Sequence, residues 1–158
     1  MNVPYRVARL AFAAALAALL AGCASAPTPQ PIQPARPQFT SPITAQQLVG
    51  QWGLAAFHRP EDAARTEAQA RQTCRQPYVI NAGPSGGFMM YLADDSKPSE
   101  VVSKQVGNGP IFIGLADEPP GAQSDREVVR FDGQVLVLRW VDKEVAGRYG
   151  TMVYVRCP

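Results

Sequence analysis

Three cysteines, one histidine and a few clustered acids bound the side-chain chemistry open to this 158-residue chain. The cysteines are Cys23, Cys74 and Cys157. A thiol can serve as nucleophile, as metal ligand or as half of a disulfide. His58 is the only histidine, which leaves too small a set for a typical zinc or copper centre. Gly83-Pro84-Ser85-Gly86-Gly87 has the G-x-S-x-G spacing of a nucleophilic serine. That chemistry requires a strand before the serine and a helix after it. Here Phe88-Met89-Met90-Tyr91-Leu92 has the composition of a strand, and His58 lies upstream rather than last. Ser85 is therefore read as a turn residue. Asp94, Asp95 and Glu100 form one acidic cluster, and Asp117-Glu118 another. Neither has the spacing of a calcium loop, and Lys97 stands within the first, so both are read as solvated loops rather than as sites for Ca2+ or glycoside chemistry. There is no phosphate loop and no dinucleotide fingerprint. The residue types thus point away from an enzyme, a metal and a cofactor.

The surroundings of Cys23 are more informative. Arg6 and Arg9 precede an uninterrupted apolar run from Leu10 to Ala21, and small residues close it. This is the layout of a secretory signal over residues 1–22. The run is too short to cross a hydrocarbon core of roughly 30 Å comfortably as a permanent helix. Leu20-Ala21-Gly22-Cys23 resembles the lipobox of bacterial lipoproteins at all four positions. The resemblance implies that Cys23 is diacylated, becomes the first residue of the mature chain and is then acylated on its amino group. Several acyl chains, at about 0.8 kcal/mol per buried methylene, form a stable anchor where one chain does not. Ala24 and Ser25 follow the cysteine. In Gram-negative lipoproteins an Asp there favours retention in the inner membrane, so its absence implies the periplasmic face of the outer membrane.

The resemblance also bears on the other cysteines. With Cys23 assigned to lipid, Cys74 and Cys157 remain in an oxidising compartment, where a pair is expected to form a disulfide. The alternative is two buried free thiols. A bridge would close a loop of more than 80 residues. Loss of the leader removes two of the 15 basic residues and leaves 13 against 13 acids. A balanced mature chain has no electrostatic footprint for nucleic acid. Residues 23–43 hold Pro27, Pro29, Pro31, Pro34, Pro37 and Pro42 without a single acid. Such a segment buries too little apolar surface to fold. In extended form, at about 3 Å per residue, it reaches on the order of 60 Å. It is read as a spacer, with a ligand for a proline-binding partner or the cell wall as the alternative.

The remaining residues, 44–158, suffice for one domain with a modest core. Thr44 to Gln47 suits a short helical turn, and Val49 to Phe57 a strand that places Trp52, Leu54 and Ala56 on one face. Pro60 to Thr73 is the one clear helix, with Pro60 at its start and Glu61, Asp62 near its positive end. Strands are expected over Tyr78–Asn81, Gly87–Leu92, Val101–Val106, Ile111–Leu115, Glu127–Phe131, Gln134–Val141 and Tyr149–Arg156. Asp132-Gly133 is read as a two-residue type I′ hairpin, and Asp142 to Gly147 as a connection. Short strands at this spacing predict a mainly β domain with one helix, closed as a small antiparallel barrel or sandwich. Both faces of Phe88–Leu92 and of Val135–Val141 are apolar, as in a strand packed on two sides or one lining a cavity.

Two further resemblances concern the domain. Gly50-Gln51-Trp52 is similar to the Gly-x-Trp that opens lipocalin-like barrels, where the Trp plugs one end. The stretch from Trp52 through Arg148-Tyr-Gly-Thr-Met-Val-Tyr-Val-Arg-Cys157 resembles uncharacterised proteobacterial lipoproteins. Together they imply a lipid-anchored envelope protein with a non-enzymatic binding or structural role. An early Trp, one disulfide and about a hundred residues also resemble periplasmic inhibitors of secreted proteases, which act through an N-terminal segment. A lipocalin-like carrier of an apolar small molecule is the remaining expectation.

Overall fold

A computed structural model describes residues 38–158 of the chain. Residues 1–37, which include the expected leader, Cys23 and most of the proline-rich segment, lie outside the described residues.

Eight strands follow one another: β1 (Gly50–Phe57), β2 (Tyr78–Ala82), β3 (Phe88–Tyr91), β4 (Pro98–Lys104), β5 (Phe112–Gly114), β6 (Arg126–Phe131), β7 (Val135–Trp140) and β8 (Thr151–Arg156). Each pairs antiparallel with the next, and β8 returns to β1 through Trp52↔Arg156 to Phe57↔Thr151. The sheet is therefore a closed barrel rather than a sandwich, and closure removes the exposed edges that an open sheet would leave. The helix expected from Pro60 is present as a turn of 3-10 helix (Pro60–Asp62) running into α2 (Ala63–Gln72), followed by a second 3-10 turn (Thr73–Arg75). A four-residue helix, α1 (Ala45–Leu48), precedes β1, and the Thr44 backbone N–H donates to Gln47 Oε1 at 2.8 Å.

The period-2 alternation of the strands sorts side chains into two apolar groups. Trp52, Ile80, Phe88, Met90, Val101, Ile113, Leu136, Leu138 and Tyr154 point inward, all with 0–1% of their surface exposed. Val135, Val137, Val153 and Val155 point outward and are covered by Ala70 of α2. The two apolar faces of β7 are thus both packed, one inside the barrel and one under the helix. Alanine is what lets α2 approach so closely. At Gly53 of β1 a Cβ would stand 1.9 Å from the Ala70 carbonyl oxygen. The Thr73 hydroxyl completes this contact, accepting from Leu54 N at 2.8 Å and donating to Ala70 O at 2.8 Å.

One end of the barrel is sealed by Trp52. Its indole Nε1 donates to Leu48 O at 2.8 Å, so α1 is tied to the plug. The Arg156 guanidinium lies 4.2 Å above the ring and donates to the carbonyls of Gln47, Val49 and Gly133. The chain before α1 runs beside β4, where Thr40 pairs with Gln105 and Ser103 Oγ bridges the backbone of Ile43.

Two local expectations are corrected. Asp142 to Gly147 is not a simple connection: Lys143–Tyr149 forms a helix, α3, and β8 begins only at Thr151. Asp142 caps it, its Oδ1 accepting from Glu144 N and Val145 N at 2.8 and 2.9 Å. Gly150 ends it at φ 71°, where a Cβ would meet the Phe57 carbonyl oxygen at 2.5 Å. The β6–β7 turn also differs from type I′, which needs positive φ at both central residues. Of Asp132, Gly133 and Gln134 only Gly133 has one, 84°. The Asp132 carboxylate instead accepts from Gln134 N and Val135 N and holds the turn from outside.

Candidate functional site

The residues singled out by sequence separate into structural groups. Cys74, in the 3-10 turn after α2, and Cys157, just past β8, stand at disulfide distance, with sulfurs 2.02 Å and Cα atoms 5.6 Å apart. They tie the end of the helical segment to the end of the last strand. Cys23 lies outside the described residues. Ser85 sits in the β2–β3 turn, where its backbone N–H and that of Gly87 both donate to Glu100 Oε1 at 2.8 Å. The turn leads into β3, so no elbow forms. Glu100 is thereby drawn away from Asp94 and Asp95, and the acidic cluster read along the sequence does not assemble in space. Among the described residues no group of three or more His, Cys, Asp or Glu side chains could hold a metal ion.

Asp94 is engaged elsewhere. At φ 63° it turns its carboxylate to α3, receiving two hydrogen bonds from Arg148 at 2.8 and 2.7 Å and one from the Tyr149 hydroxyl. This latch joins the β3–β4 loop to α3. The Arg148 guanidinium, and after it the Tyr149 hydroxyl, hold the Asp94 carboxyl down at about 2. A depressed carboxyl stabilises the latch above its ordinary value near 3.9, and the effect is lost as pH falls through about 2. In a carboxyl-resolved NMR titration Asp94 is expected to have its midpoint near 2 and to move up toward 4 in Arg148→Met. A wild-type midpoint near 4 would show the latch open in solution.

Two buried charges were not apparent in the sequence. Lys104 and Asp125 form an ion pair at 2.7 Å with both side chains 0% exposed. Lys104 Nζ also donates to the Leu115 and Glu118 carbonyls at 3.0 and 3.2 Å, and Asp125 Oδ2 accepts from Gly121 N at 2.8 Å. Every atom of the pair that could bond does so, and the pair pins the loop between β5 and β6. Gly114 leaves room for it, since a Cβ there would lie 1.7 Å from Asp125 Oδ1.

The second charge is Arg126, at the barrel end away from Trp52 and only 1% exposed. It stands opposite Trp140 in the β6–β7 register, with its guanidinium 4.8 Å from the indole centroid. Nη1 donates to the Tyr91 carbonyl at 3.2 Å. Nε and Nη2 have no partner, nor does Trp140 Nε1. Among the described residues these three donors are the only buried side-chain N or O atoms left unpaired, and they share one cross-strand pair. No carboxylate of the described residues bridges to Arg126. The nearby phenols supply no negative charge either: burial pushes Tyr154 above its ordinary value against the charge of Arg126 and a hydrogen bond with its side chain, and pushes Tyr78 up against the Tyr91 backbone hydrogen bond and the charge of Arg126. An uncompensated buried ion costs several kcal/mol. One hydrogen bond to a charged group returns about 1.5–3 kcal/mol, and a desolvated cation–π contact about 2. Neither supplies a counter-charge. Tyr149 packs beside Trp140, ring centroids 6.2 Å apart, so the Asp94–Arg148–Tyr149 latch adjoins this pair. The sequence signal for β6 starts at Glu127, whereas the strand starts at Arg126, on the inward parity of Val128.

These features define a closed eight-stranded antiparallel barrel with a filled interior, one sealed end and one buried cation at the other. No protein-family model, no curated protein and no solved structure matches the chain.

Proposed function

We propose that this chain is a lipid-anchored lipoprotein of the cell envelope. In this reading its barrel faces the periplasm from the outer membrane and serves a non-enzymatic binding or envelope-structural role. The observation that carries the proposal is the cysteine arrangement. Cys74 and Cys157 stand at disulfide distance, which suits an oxidising compartment. The remaining cysteine, Cys23, closes Leu20-Ala21-Gly22-Cys23 behind a basic and then apolar leader. Its acyl chains would be the membrane contact, and the proline-rich segment would hold the barrel away from the surface, within reach of another envelope protein. Cys23→Ser is expected to shift the protein from the membrane fraction to the soluble fraction of lysed cells. Unchanged membrane retention would refute the anchor.

A second reading, an inhibitor of secreted proteases, is favoured by the closed barrel with its Trp52 plug and a single cysteine pair. It would require the N-terminal segment to reach a protease while Cys23 carries lipid. Inhibition of secreted metalloproteases by the purified chain tests it. The carrier reading has less support, because large side chains fill the barrel axis.

A further inference from the structure

We infer that the end of the barrel opposite Trp52 is a binding site for the carboxylate of a small monoanionic molecule, held by the Nε/Nη2 edge of Arg126 and bordered by Trp140. The inference gives chemical content to the binding role proposed above, and it does not depend on the lipid anchor.

Geometry selects the ligand class. Nη1 of Arg126 is occupied by the Tyr91 carbonyl. The two unpartnered nitrogens, Nε and Nη2, form the opposite edge of the same planar fork. That edge presents two parallel N–H donors at the spacing of the two oxygens of a carboxylate. The third unpaired group, Trp140 Nε1, is again a donor. The neutral Tyr154 hydroxyl beside Arg126 offers an oxygen but no charge, so three donors without a charged acceptor call for an occupant that only accepts. Water could satisfy hydrogen bonds but would leave the charge uncompensated, and a monoanion does both. The hydroxyl of Tyr154 is not free to act as the base, since burial keeps it protonated. The occupant is small, because Arg126 and the neighbouring Tyr154 are already packed with 1% and 0% of their surface exposed. The latch, where Asp94 bonds Arg148 and Tyr149, borders the site beside the Trp140 ring.

The two tryptophans provide an internal comparison. The Trp52 indole already donates to Leu48 O and should not respond, whereas the Trp140 indole should. The experiment is a titration of the purified full chain with sodium formate and sodium acetate, followed by nitrogen–proton NMR of the indole and Arg Nε–H signals. Ionic strength is held constant with a bulky sulfonate buffer. The expected result is a saturable shift of the Trp140 and Arg126 signals with Trp52 unmoved. Arg126→Lys, which keeps the charge but loses the two-donor edge, should weaken saturation at least tenfold, and Arg126→Met should abolish it. No shift, or one linear in salt, would mean that water alone fills the site and would overturn the inference. An equal response to chloride would overturn the carboxylate assignment. The wild-type titration decides the matter even if the Arg126 variants fail to fold. Because the membrane fractionation of Cys23→Ser is read separately, failure of either result leaves the other interpretable.

Discussion

Lys104→Met is expected to destabilise the barrel by about 3–5 kcal/mol, the cost of leaving one partner of a buried ion pair uncompensated. Asp125 would keep its bond from Gly121 N but lose its counter-charge, while the loop carbonyls of Leu115 and Glu118 would lose their shared donor. Methionine nearly matches the length of the lysine stem, so little of the loss would come from packing. The partner substitution separates charge from shape. Lys104→Met with Asp125→Leu should recover much of the loss, because replacing both members of a buried pair with apolar groups is often neutral. Equilibrium urea unfolding reads both effects as a shift in midpoint at constant slope. A loss below about 1 kcal/mol in the single variant would mean that the loop hydrates Asp125 at little cost.

Removal of the Cys74–Cys157 link is expected to cost a similar amount. The two residues are separated by 83 positions. Chain-entropy reasoning for a loop of that length gives about 4–5 kcal/mol at 25 °C. That is a large share of the roughly 5–15 kcal/mol by which domains are stable. The link acts at one place, the junction of the 3-10 turn after α2 with the end of β8. There Cys157 N also donates to Gln51 O at 2.9 Å. Cys74→Ser with Cys157→Ser should therefore loosen α2 from the outer valines as well as lower the unfolding midpoint. Hydrogen exchange in α2 faster than in β7 would report the first effect, and urea unfolding the second. Non-reduced peptide mapping of the wild type should show one linked peptide. Two alkylatable thiols would end this account.

The parts of the fold legible in the sequence are those set by local chemistry. Pro60, with Glu61 and Asp62 behind it, marked the helix start to the residue. Alternation along Val135–Trp140 marked a strand with two apolar faces, and β7 has both of them packed. The helix α3 is not legible as a helix in the sequence, although local signals for it are present. Asp142 is a good cap and Gly150 a good stop, but a seven-residue helix has too few turns to show an apolar period. The β6–β7 turn was displaced because an Asp-Gly pair fits more than one turn, and the choice depended on where the Asp132 carboxylate found donors.

Charged residues mark the boundary most clearly. Lys104 and Arg126 look like ordinary solvated cations in the sequence, since nothing local distinguishes them from Lys97 or Arg139. Their burial depends on which loop covers the strand and which parity the barrel turns inward. Asp94, Asp95 and Glu100 are the converse case. Adjacent in sequence, they are dispersed in space because Arg148, 54 positions away, claims the first and the Ser85 turn claims the last.

By itself the sequence determined a β-rich domain with a helix at Pro60 and the order of residue types before it: a basic and apolar stretch ending at Cys23, then a run of prolines without an acid. Each is a property of residue type and short-range spacing. The sequence also led to the expectation that Cys74 pairs with Cys157, and the two stand at disulfide distance; only the tertiary structure decided that the strands close through β1 and β8 and that Gly53 lets α2 lie on the wall. It alone placed Arg126 and Trp140 together with unpaired donors inside the barrel. These are relations between residues tens of positions apart. They exist only once closure fixes strand register, and register is set by which apolar side chains fill the axis.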